Sequence, residues 1–163
     1  MKVVHAGEHG AVNIYGGQMT AARVRSPSMM GDLAEFQRHE MRHREIFGTE
    51  LARRAIRRCR TYRMCGLGGW TLGFVTGLLG PSAIGATTVA VERVVLKHLE
   101  EYCAALAGTD AAAHAALSAI VADERAHHDH FLGQDAQQPW FARIIDRTVA
   151  GSTELVIWMG MRL

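Results

Sequence analysis

The chain carries the pattern Glu-x-x-His twice, as Glu40-Met41-Arg42-His43 and as Glu124-Arg125-Ala126-His127. On a helix, residues three apart lie on one face, so each motif presents a carboxylate beside an imidazole. With ten Glu and nine His in 163 residues, chance supplies about half an occurrence. One shift of 84 residues carries Glu40 onto Glu124, His43 onto His127 and also Glu8 onto Glu92. Such a chain reads as a helical hairpin used twice, each copy giving Glu plus Glu-x-x-His.

Helical periodicity places these groups on apolar faces. Glu8 precedes Val12, Tyr15 and Met19. Glu40 and His43 interrupt the stripe Leu33, Phe36, Phe47, Leu51. Glu92 falls within Thr88, Val95, Leu99, Tyr102, Leu106, and Glu124 with His127 falls within Leu117, Ile120, Phe131. A carboxylate facing a core must be paired, protonated or bound to a metal. The competing reading is a buried salt-bridge network, yet none of these stripes contains Lys or Arg.

Breaks at Ser26-Pro27-Ser28, the Gly-rich stretch 65–81, Gly108-Thr109-Asp110 and Gly133 to Pro139 predict helices over 6–24, 29–60, 82–107, 110–132 and 139–162. Asp110 is the expected N-cap of the fourth helix, and Pro139 suits the first turn of the fifth. The expected class is all-α, in a single domain spanning 1–163. From Glu92 to Gly108 is 16 residues, roughly 24 Å of helix, and from Asp110 to Glu124 is 14, roughly 21 Å. Two antiparallel helices so joined hold their carboxylates level. The first hairpin is about one turn out of step.

Four carboxylates and two imidazoles turned into an antiparallel four-helix bundle are the donor set of di-iron and di-manganese carboxylate proteins. Oxygen-rich donors suit Fe(II) or Mn(II) better than structural zinc. The four negative charges balance two divalent ions, and six protein ligands leave positions open for O2. Asp123, next to Glu124, is placed to accept the second N–H of a metal-bound imidazole.

A net charge of +2 gives no global cause to expect nucleic acid. Cys59, Cys65 and Cys103, odd in number and without ligand spacing, read as reduced thiols. The start Met1-Lys2-Val3-Val4-His5 lacks a secretory pattern. Cys65 to Val91 holds no charged residue over 27 positions, long enough for a span, but seven Gly and Pro81 make it less apolar than one. It is expected as a bent interfacial hairpin or a core segment. Arg53, Arg54, Arg57, Arg58, Arg60 and Arg63 precede it, beside Trp70, Phe74, Leu78 and Leu79. That pairing suits peripheral docking on an anionic membrane surface. A solvated helix end or an oligomer contact is the plainer reading. The last helix, with Trp140, Phe141, Ile144, Ile145, Val156, Ile157 and Trp158, would cover the bundle or join that face.

Beyond these patterns, the sequence resembles the demethoxyubiquinone hydroxylase family nearly end to end. The resemblance rests on His5-Ala6-Gly7-Glu8-His9-Gly10-Ala11, Ile14-Tyr15-Gly16-Gly17-Gln18-Met19, Gly73-Phe74, Leu78-Leu79-Gly80, Thr88-Val89-Ala90-Val91-Glu92, Glu124 through Asp129, and Arg162-Leu163. It implies a ferritin-like fold, peripheral membrane association on the cytoplasmic face of the cell membrane, and O2-dependent hydroxylation of a polyprenyl demethoxybenzoquinone in ubiquinone synthesis. The family's iron ligands fall on Glu8, Glu40, His43, Glu92, Glu124 and His127, with Glu40 and Glu124 as the expected bridges. NADH is the implied electron source, acting through the quinone. A lipid-presenting helper protein and a homo-oligomer are compatible with this reading; nucleic acid is not expected. Two positions depart from the family: Val4 stands where Asp is usual, and His98-Leu99 where His-Tyr is usual. His98 is retained as a candidate substrate-side or ligand-supporting group, a surface histidine being the alternative. The rival functions are a di-metal oxidase or hydroxylase of another lipid or aromatic substrate, and iron or peroxide handling of the ferritin and rubrerythrin kind.

Overall fold

Pro27, Pro81 and Pro139 are the only prolines, so long stretches of backbone are free to run as helix. The computed structural model describes residues 1–132 and 140–162, and among these all regular structure is helical. The all-α class expected from the sequence is what is found. Helix α1 spans Lys2–Arg25, a 3-10 turn Pro27–Met29, α2 Met30–Arg53, α3 Tyr62–Leu79, α4 Pro81–Leu106, α5 Ala111–Leu132 and α6 Trp140–Arg162. The expected break Gly133 to Pro139, with the place of Pro139 in the last helix, lies outside the described residues, as does Leu163.

Two expected boundaries are corrected. The helix drawn to residue 60 ends at Arg53. Ala55 adopts a left-handed φ of 53°, and its N–H and that of Ile56 donate back to the carbonyls of Ala52 and Leu51. This is a Schellman closure made without the glycine that would have announced it. Glu50 accepts from Arg53 and Arg54 at 2.5–2.9 Å around the same turn, and these bonds hold its carboxyl down to about 2. The second correction concerns 65–81, which is not a break but helix α3. Its glycines at 66, 69, 73 and 77 fall every three or four residues and are buried as one stripe. The bend of the uncharged segment is confined to Gly80, whose φ of 97° leads into Pro81 at the start of α4. Among the described residues no helix is long and apolar enough to cross a membrane.

The chain forms two compact units, Met1–Ile84 with the residues from Glu154 on, and Gly85–Thr153. In the first, α1 packs against both α2 and α3. The α2 stripe Leu33, Phe36, Phe47 and Leu51 is buried as expected. Burying each of these side chains contributes about 1.5–3 kcal/mol. Tyr15 meets Phe36 at 5.9 Å between ring centroids, and Gln37 Nε2 donates to the Val12 carbonyl at 2.9 Å. Val12 and Met19 are only half-buried, because α1 buries a second, small-residue face, Ala6, Gly10, Ile14, Gly17 and Ala21. That face meets the α3 glycines so closely that a Cβ on Gly77 would stand 2.8 Å from the Gln18 carbonyl oxygen.

In the second unit α4 and α5 run antiparallel, with Phe131 against Gly85 and Cys103 Sγ 3.9 Å from Ser118 Oγ. That register puts Glu92 level with Glu124, as the helix lengths predict. Asp110 is the N-cap expected of it: its Oδ1 accepts from the Ala113 N–H at 3.1 Å.

Candidate metal centre

In the first unit α1 supplies Glu8 while α2 supplies Glu40 and His43. All are buried, at 3 %, 1 % and 0 % exposure. His43 Nδ1 stands 3.9 Å from Glu8 Oε2 and 3.9 Å from Glu40 Oε2. A donor atom from each of the three lies within 4.8 Å of the others. In the second unit α4 supplies Glu92 and α5 supplies Glu124 with His127, again buried at 3 %, 1 % and 1 %. His127 Nδ1 is 3.6 Å from Glu124 Oε2, and these three donors also lie within 4.8 Å of one another. The 84-residue repeat in the sequence is therefore a repeat of two buried triads with the same chemistry.

Those spacings suit co-ligands. Atoms bound to one ion at about 2.1 Å lie about 3–4 Å apart, and N···O separations of 3.6–3.9 Å are longer than hydrogen bonds. Each triad carries two carboxylates and one imidazole, so one divalent cation neutralises it. Hard oxygens with a single nitrogen favour iron(II) or manganese(II) over structural zinc. The residues present fit such an ion.

His98 and Asp123 stand apart from this geometry. His98 lies six residues beyond Glu92 on α4, its Nδ1 3.3 Å from Glu101 Oε2 and its ring 6.2 Å from Tyr102. Asp123 is half-buried on α5. Leu99, at the position where the resembled family has Tyr, is buried at 1 % exposure.

The structure also assembles a group that sequence reading missed. His9 stacks on Tyr62 at 4.0 Å, His5 stacks on the same ring at 5.0 Å, and the Arg58 guanidinium lies over it at 5.0 Å. Arg44 Nη1 reaches His9 Nδ1 at 3.5 Å. The only local signal was the four-residue spacing of His5 and His9, since Arg44, Arg58 and Tyr62 lie far along the chain. Burial, then Arg58, Arg44 and His9, push His5 down from 6.5 to about 4; burial, then Arg44 and Arg58, lower His9 too. His5 is 3 % exposed, so its neutrality is coupled to folding. The unfolded chain takes up a proton at higher pH than the native one, and stability falls as pH drops from 6.5 towards 4. The expected loss across that window is about 3 kcal/mol. Urea unfolding at pH 7 and pH 5 checks it: His5→Gln flattens the dependence, and an unchanged slope contradicts the assignment.

A family profile described as "Ubiquinone biosynthesis protein COQ7" matches residues 1–160. The 3-demethoxyubiquinol 3-hydroxylase of Rhodospirillum rubrum is 28 % identical over 163 residues, covering all of this chain and 76 % of its own. Two proteins named NADPH-dependent 3-demethoxyubiquinone 3-hydroxylase, mitochondrial, are similar to the same degree. The one from Dictyostelium discoideum is 28 % identical over 167 residues, covering 100 % of this chain and 76 % of its own. The one from Rattus norvegicus is 28 % identical over 166, covering 99 % and 76 %. Their names specify NADPH, where the sequence reading expected NADH. With the profile running through all six buried donors, this chain belongs to the COQ7 family of ubiquinone biosynthesis proteins.

Proposed function

We propose that this protein is an oxidoreductase that hydroxylates the ring of a polyprenyl demethoxybenzoquinone in ubiquinone synthesis, using two iron ions held by Glu8, Glu40, His43, Glu92, Glu124 and His127. The observation that carries the reading is the pair of matched, buried triads in a chain whose relatives are named hydroxylases of this kind. In this reading the chain is a single ferritin-like domain in which Glu8, Glu40 and His43 would hold one ion and Glu92, Glu124 and His127 the other. Manganese fits the same donors. When bound, the metals supply activation of O2 for ring hydroxylation.

The chain's own residues do the rest. Four carboxylates offset the charge of two divalent ions, and exposures of 3 % or less keep water out of the site. Asp123 would orient an imidazole by accepting its free N–H. His98, held by Glu101, would sit on the substrate side. Electrons come from a reduced nicotinamide nucleotide. Leu67, Trp70, Leu78 and Leu79 are exposed on α3, and with the arginines after residue 52 they suit peripheral attachment to the cytoplasmic face of the membrane where the quinone resides. A lipid-presenting helper and self-association would assist delivery.

The test supplies iron-loaded protein with a demethoxyquinone, a reductant and O2, and follows the hydroxylated product by mass. About two irons per chain and a product gain of one oxygen atom are expected. Zinc-only or mononuclear protein would refute the metal reading. Full iron loading without product would instead favour another lipid or aromatic substrate, a second reading supported by the buried Leu99 in place of the family tyrosine.

A further inference from the structure

Outside the metal triads, the first unit contains a cleft of about 730 Å³ lined by His5, Arg38, Arg42, Arg44, Arg58 and Tyr62. Glu45 is the one carboxylate on its wall, against the guanidiniums of Arg38, Arg44 and Arg58. Among the described residues Arg38, Arg44 and Arg58 make no carboxylate ion pair. The guanidiniums come from two parts of the chain, α2 and the turn after it, and converge on one concavity. Gly48 thins the wall: a Cβ there would stand 3.3 Å from His5 Nε2. His5 Nδ1 is buried without a hydrogen-bond partner, and the Arg58 guanidinium lies over the Tyr62 ring. Three guanidiniums against one carboxylate leave an excess of positive charge that favours an anion in the space. Guanidinium forks pair bidentately with phosphate and carboxylate oxygens alike, and a phosphate group, with three strong acceptor oxygens and up to two charges, gives several forks one ligand to share.

We propose that this cleft is a binding site for a phosphate group carried on an organic ligand, with Arg38, Arg44 and Arg58 as its charge partners and Tyr62 flanking the organic part. Two sources carry that chemistry: a phospholipid headgroup, or a soluble organic phosphate such as a nicotinamide dinucleotide phosphate. Tyr62 opens α3, whose face exposes Met64, Leu67 and Trp70, so a lipid held here would have an apolar surface beside its headgroup. The site involves none of the six metal donors and stands whether or not the metal reading does.

Calorimetric titration of the full chain tests it, with dihexanoylphosphatidylglycerol below its micelle concentration in one arm and NADP+ in the other. Saturable binding of one probe per chain is expected. Arg38→Gln and Arg58→Gln should each weaken it about tenfold or more. Arg57→Gln removes an equal charge from an exposed neighbour that does not line the cleft, and should change affinity by about twofold or less. Binding of the lipid alone identifies a headgroup site, and binding of NADP+ alone a dinucleotide site; either supports the proposal. Failure of both probes to saturate overturns it. So does equal weakening by Arg57→Gln and Arg58→Gln, which would mean a diffuse basic surface. Tighter binding of hexaglutamate than of either phosphate overturns it in favour of an acidic protein partner.

Discussion

Glu124→Ala is expected to strip the second triad of its ion and to lower ring hydroxylation about a thousandfold or more. Glu124 Oε2 lies 3.6 Å from His127 Nδ1 at 1 % exposure, so no water-borne ligand can readily replace it. Losing one of two carboxylates leaves the triad with half its negative charge, and the divalent ion is then under-compensated in a low-dielectric site. Stability should report the same loss. A metal at about a thousand times its dissociation constant stabilises the fold by about 4 kcal/mol, or roughly 8–16 °C in midpoint for a chain of this size. The wild type should show that rise on adding ferrous ion and lose it with a chelator; Glu124→Ala should show neither. Without metal the sign inverts. Two carboxylates buried within 4.8 Å of one imidazole repel each other, so metal-free Glu124→Gln should unfold no lower than metal-free wild type. The same pair of measurements on Glu40→Ala probes the first triad. A variant that keeps a full metal complement and its metal-dependent midpoint shift would remove that triad from the proposed centre.

The six candidate donors were legible because a buried carboxylate violates the apolar periodicity around it, and because the violation recurs after 84 residues. The level placement of Glu92 and Glu124 followed from helix length alone, and the Asp110 cap from residue type. Other features had no such local mark. The end of α2 depends on Ala55 taking a left-handed conformation usually filled by glycine. The cleft around Tyr62 joins residues from 5 to 62, and no sequence period links them. Helix α3 was the most misleading, because glycine reads as a helix breaker until a partner helix is known. Against α1 the same glycines become the contact surface, and the close approach they permit offsets their weak helix propensity.

Gly73→Ala should therefore destabilise the protein by about 3 kcal/mol or more, whereas Gly68→Ala, the same change five residues away on the same helix, should stabilise it by about 1 kcal/mol. A methyl on Gly73 would overlap the Ile14 carbonyl oxygen, with the Ile14 carbonyl carbon at 2.7 Å and Cα at 2.9 Å. Every one of these atoms is backbone, so no rotamer change relieves the overlap, and α1 and α3 must part. Gly69 faces the Gly10 carbonyl and Gly17 the Trp70 carbonyl in the same manner, which makes the helix pair intolerant from Gly69 to Gly77. Nothing lies within 4 Å of a Cβ on Gly68, so alanine there gains helix propensity without a clash. Thermal midpoints of the two variants should move in opposite directions. Because α1 carries Glu8, the Gly73 variant should also hold ferrous ion less tightly, while the Gly68 variant binds it as the wild type does. Matching upward shifts for both would mean that α3 is limited by glycine's effect on the helix itself, and that its approach to α1 does not position the metal donor.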